Sequence, residues 1–90
     1  MINRMKLNTQ FVPFHTGEEY LLVPAGGADF AGLVRGNETL GVLLELLKNG
    51  TDEAEMIRTV KSRYDVDEET VVRDVTRLLS ELRSIGALDE

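Results

Sequence analysis

Residues 37–86 read NETLGVLLELLKNGTDEAEMIRTVKSRYDVDEETVVRDVTRLLSELRSIG, and this stretch decides the fold. It holds three helix starts: Asn37-Glu38-Thr39, Thr51-Asp52-Glu53 and Asp67-Glu68-Glu69. At each, a short polar side chain can accept a hydrogen bond from a first-turn amide that has no carbonyl partner in the helix. Acids follow in the first turn, where the helix dipole favours negative charge. The spacing predicts a first helix over Glu38 to Lys48, buried through Leu40, Leu43, Leu44 and Leu47 and widened by Val42 and Leu46. So broad an apolar face belongs to a central helix, and Asn49-Gly50 ends it. A second helix is expected over Asp52 to Arg63, with Met56, Ile57, Val60 and Tyr64 inward. The third, Glu68 to Ile85, carries the stripe Val71, Val75, Leu78, Leu82 and Ile85 and closes at Gly86. Ala87 and Leu88 are expected to fold back onto the core.

Upstream the pattern changes to short strands. Residues 1–8 show no consistent period and read as a flexible N-terminus, leaving 9–90 as one domain. Phe11 to His15 is a strand, and Pro13, which lacks an amide donor, suits it to a sheet edge. Thr16-Gly17 is a hairpin turn in which Gly17 is free to take positive φ. Glu18 to Val23 follows, with Tyr20 and Leu22 on one face and Leu21 and Val23 on the other, so cover is expected on both sides. Pro24 to Asp29 is a loop around Gly26-Gly27, and Phe30 to Arg35 is a third strand. The fold class is α+β: three short antiparallel strands followed by three helices, in a winged helix-turn-helix-like order.

Ninety residues make one small domain, and without cysteine neither disulfides nor thiolate metal sites can reinforce it. With three Phe, two Tyr and no Trp, the core must be aliphatic. No segment approaches the ~20 apolar residues that span a bilayer, and the two bases in the first six residues precede no apolar run of a signal peptide. A soluble cytoplasmic protein, monomeric or homodimeric, is expected.

The residues hold little catalytic chemistry. His15 is the only histidine, beside a turn and without Cys or a second His to make a metal site or a triad. The acids Asp65, Asp67, Glu68 and Glu69 lack the central glycine and twelfth-position Glu of a calcium loop and serve to cap a helix. Gly26-Gly27 lacks phosphate-loop spacing. A hairpin beside a long last helix raises a winged-helix DNA reader. That helix, however, sets Arg73, Arg77 and Arg83 against Glu68, Glu69, Asp74 and Glu81, in a chain of net charge −6. Phosphate recognition calls for clustered bases instead. A third role fits the sheet. The segment from Ala31 to Val34 has neither Lys nor Pro to blunt it, and such an edge can receive an extended peptide as a further strand. A DNA-binding regulator and a structural dimerisation module stay open beside it.

The ordered set of motifs resembles a known family. Tyr20-Leu21-Leu22-Val23 is followed by Gly32-Leu33-Val34-Arg35 and Asn37-Glu38-Thr39. A leucine-rich helix, Gly50-Thr51, Tyr64-Asp65 and the helix with Asp74-Val75, Leu78, Leu79 and Leu82 complete the order. Together they resemble PqqD-like proteins, stand-alone recognition elements of pathways that modify ribosomally synthesised peptides. The chain departs from that pattern at Gly36, where an apolar residue is usual, at Leu40, where Gly is usual, and at Leu44, where Trp is common. The resemblance implies a winged-helix-like, cofactor-free peptide chaperone, not an enzyme. Its partners would be the leader of a precursor peptide and a modifying enzyme, often a radical SAM enzyme, with no nucleic acid or membrane. The leader would add as a strand to the third strand, beside the third helix, which places Ala31, Gly32, Leu33, Val34 and Arg35 in the site. At ~100° per residue, Val72 and Leu79 lie to one side of the core stripe, with Thr76 and Arg83 further round. Val72 and Leu79 are therefore expected to floor the groove and Arg83 to meet an acid of the leader.

Overall fold

In the computed structural model, which describes residues 4–25 and 34–90, the chain runs through eight elements. They are β1 (Lys6–Leu7), β2 (Phe11–Thr16), β3 (Glu19–Pro24), β4 (Val34–Gly36), α1 (Glu38–Asn49), α2 (Glu53–Arg63), α3 (Glu68–Ser84) and β5 (Leu88–Asp89). Caps form at all three predicted starts, the second one residue later than the expected helix start, with Asp52 outside the helix as its cap. Asn37 accepts the amide of Thr39 at 3.1 Å, Asp52 that of Glu55 at 2.8 Å, and Asp67 that of Thr70 at 3.2 Å. The α+β architecture is as expected, with the strands β2 to β4 before the three helices; β1 and β5 are additions to it.

α1 is central, touching β1 to β4 and α2. Its four predicted leucines are buried, and Leu44 and Leu47 are almost wholly enclosed. Burying each such side chain contributes about 1.5–3 kcal/mol. Leu22, Met56, Val75, Leu79 and Leu82 complete an aliphatic centre, with Phe11 and Tyr20 packed at its margin.

The main sheet has the order β2-β3-β4, antiparallel throughout. Pro13 lies on the outer strand β2, where a missing amide costs least. The turn between β2 and β3 holds Gly17 and Glu18, but positive φ among the described residues is confined to Gly50 and Gly86. Gly17 therefore does not use the freedom expected of it. The register puts Leu22 opposite Val34 on the inner face and pairs Val12 with Val23 and Phe14 with Leu21 on the outer face. On that outer face Leu21 and Val23 are half-buried, while on the neighbouring strand Phe14 is 55% exposed and Val12 40%.

The start of the chain departs most from expectation. Residues 5–8 are not a flexible terminus: Lys6 and Leu7 pair with Asp89 and Leu88, and Met5 bridges Thr51. Met5 and Leu7 are buried in the core. A two-residue strand is too short to leave a period in the sequence, and its partner lies at the other end of the chain. That partner is delivered by the end of α3. Gly86, at φ 73°, donates to Arg83 O, and Ala87 donates to Leu82 O, the paired bonds of a glycine-terminated helix. The chain reverses there and folds Ala87 and Leu88 back onto the core, as the sequence predicts, but Leu88 does so by running along β1, which it does not predict. Of the third strand, Phe30 to Leu33 lie outside the described residues; Val34 and Arg35 are in β4, which extends to Gly36.

Candidate functional site

β4 pairs with β3 on one side, through Leu22–Val34, Leu21–Arg35 and Tyr20–Gly36. Among the described residues no strand lies on its other side. A groove of about 250 Å³ runs there, between β4 and α3. Its floor is apolar, built by Val34, Leu40, Leu43, Val60, Val66, Val71, Val75 and Leu78. Val66, in the α2–α3 connection, is 40% exposed. The rim is polar, with Arg35, Asn37 and Thr39 on one side and Thr70, Asp74, Arg77 and Glu81 on the α3 side.

The α3 wall follows from helix geometry. Residues 70, 74, 77 and 81 are separated by four, three and four positions, so at ~100° per residue they form one narrow stripe. It flanks the core stripe of Val71, Val75, Leu78 and Leu82, all buried. Arg35 on the opposite rim is held by Glu19, its diagonal neighbour across β3 and β4, through Nε to Oε2 at 3.2 Å and Nη2 to Oε1 at 3.0 Å. Asp74, Arg77 and Glu81 make no ion pair among the described residues.

Of the residues expected in the site, Val34 and Arg35 line this groove; Ala31, Gly32 and Leu33 lie outside the described residues. The four expected on α3 are not brought to it. Val72, Thr76, Leu79 and Arg83 occupy the opposite flank of the core stripe. Leu79 is 1% exposed and belongs to the core. Arg83 bonds Glu90 through Nε at 3.1 Å and Nη2 at 2.9 Å, with Met5 Sδ 3.7 Å away. Its bond to Glu90 raises the Arg83 pKa further and lowers that of the Glu90 carboxyl. The two flanks of an amphipathic stripe are equivalent in sequence, and only the packing of the helices decides which one meets β4. The apolar Val72 and Leu79 drew the expectation to the flank that lies away from this groove.

His15 stacks on Tyr20, with ring centroids 4.0 Å apart and planes 8° from parallel. Among the described residues no group of three or more His, Asp or Glu side chains is placed to hold a metal ion.

A family model described as Coenzyme PQQ synthesis protein D (PqqD) matches residues 20–88, which include β4, α3 and the whole groove between them. The chain belongs to the PqqD family. No curated protein matches this PqqD-family chain. A solved structure titled "TbiB1 in Complex with the TbiA(beta) Leader Peptide" shares its fold, with TM-score 0.72 and 23% identity over 93% of this chain and 94% of that one. In the PqqD-family domain described here, no helix among the described residues is long and apolar enough to cross a membrane.

Proposed function

We propose that this domain binds the leader segment of a ribosomally synthesised precursor peptide and presents it to a modifying enzyme. The peptide adds to the free side of β4 as a fourth strand, with the 70–81 flank of α3 as its opposite wall. The observation that carries this reading is the groove itself: a strand edge unpaired among the described residues, an apolar floor and a polar rim in one channel. Strand edges supply affinity through main-chain hydrogen bonds, and pockets for alternate side chains supply selectivity. Family membership supports the reading, as does the shared fold of TbiB1, which was solved with a leader peptide. The domain acts by binding and not by catalysis, in the cytoplasm, where precursor and enzyme meet. DNA fits the groove poorly, because its α3 rim offers two acids to one base.

A titration of the isotope-labelled domain with precursor peptide, followed by amide shifts, tests this. Shifts at residues 34–36 and 70–81, with micromolar or tighter affinity (about −8 kcal/mol or stronger), are expected. Unshifted amides at both walls under saturating peptide would overturn strand addition at β4.

A further inference from the structure

The charged groups around the groove differ in whether they are already engaged. Arg35 is held by Glu19, and elsewhere on the helices Lys61 meets Glu68 and Arg83 meets Glu90. Asp74, Arg77 and Glu81 stand three and four residues apart on α3, the spacing at which helical ion pairs normally form. Yet among the described residues none of the three is paired, and all three line the groove. The row alternates in sign, acid, base, acid, above an apolar floor.

We infer that this row reads the charge pattern of the bound peptide. It selects a segment in which an acidic residue facing Arg77 is flanked, two positions before and two after, by basic residues facing Asp74 and Glu81. The positions between them carry apolar side chains that enter the floor. The inference rests on the peptide-binding reading above and adds to it the sequence class of the peptide. Spacing supports the match. At a rise of ~1.5 Å per residue, Arg77 lies ~4.5 Å from Asp74 and ~6 Å from Glu81 along the helix axis. Same-face residues of an extended strand repeat every ~6.6 Å, and the long arginine and glutamate side chains cover the difference. Complementary charge at a groove rim sets register and rejects wrong partners more than it adds raw affinity. A peptide slipped by two residues would place acid against acid at Glu81 and base against base at Arg77.

The test uses a random peptide library displayed on phage, with inserts of about 12 residues, long enough for one strand of ~5–6 residues and its flanks. It is selected in parallel on the wild-type domain and on the variant Asp74→Lys/Arg77→Glu/Glu81→Lys, whose fold is checked by circular dichroism. The wild type should enrich base-apolar-acid-apolar-base segments, and the variant should enrich the reverse, acid-apolar-base-apolar-acid. For a peptide selected on the wild type, Arg77→Glu alone should weaken binding about tenfold, and changing that peptide's central acid to Lys should restore it. Enrichment of the same peptides by both proteins would overturn the charge readout and leave strand addition standing. Absence of any enriched peptide on either protein would overturn peptide binding itself, and the charge readout with it.

Discussion

The ring of Tyr20 lies directly over the bare backbone of Gly41: a Cβ built at Gly41 would stand 2.4 Å from Tyr20 Cδ1 and Cε1. This contact joins the central strand to the central helix. It explains why a poor helix former sits inside α1 on the side facing the sheet. In a helix interior, Gly→Ala ordinarily stabilises by about 1 kcal/mol. Here the ring would have to leave its place, where it also stacks on His15. Gly41→Ala should therefore destabilise by about 1–3 kcal/mol in urea unfolding, as overpacked sites do. In a Tyr20→Ala background the same change should become neutral or stabilising, so the two effects should be strongly non-additive.

Leu7 and Lys6 alternate across β1, one buried and one exposed. Leu7→Ala should cost about 2–3 kcal/mol, within the range for a buried leucine. Lys6→Ala should stay within about 0.5 kcal/mol of the wild type. Equal, negligible effects for both would mean that this end of the chain does not fold onto the core in solution.

Glu90 gives the C-terminal strand a pH dependence. Its carboxyl is held below the ordinary value of 4.5 by the bond from Arg83. A carboxylate with a depressed pKa in the folded state adds stability that is present above its unfolded value. That stability is lost as pH falls through the folded value. Both side chains are solvated, so the effect is small. Glu90→Gln should lower the unfolding midpoint slightly at pH 7, and the two proteins should converge as the pH drops below about 4.5. A difference that persists unchanged at pH 3 would point to packing and not to charge.

The helices were legible because their signals are local: a cap, a 3.6-residue period and a terminating glycine each act within a few residues. All four buried leucines of α1 and the core stripe of α3 could be read in this way. Pro13 likewise marked its strand as an outer one. What could not be read depends on partners distant in sequence. β1 exists because Gly86 turns the chain back to it, and nothing near Lys6 and Leu7 records that. Which flank of α3 lines the groove depends on how three helices pack. Thr70, Asp74, Arg77 and Glu81 therefore replace Val72, Thr76, Leu79 and Arg83 at the groove, although both rows have the same spacing.

Val66 separates the two flanks experimentally. It is 40% exposed and lines the groove, whereas Val72 is equally exposed but lies on the flank away from it. Either residue can accept an acid with little change in stability, since neither is buried. An aspartate at position 66 would put an unpaired charge in the apolar floor, where desolvation on peptide binding is costly. Val66→Asp should weaken binding of a precursor leader by at least about tenfold, equivalent to about 1.4 kcal/mol. Val72→Asp should leave it within about twofold, roughly 0.4 kcal/mol. Isothermal titration of both variants against the same peptide decides the matter. Loss at position 72 with retention at 66 would return the binding face to the flank carrying Thr76 and Arg83.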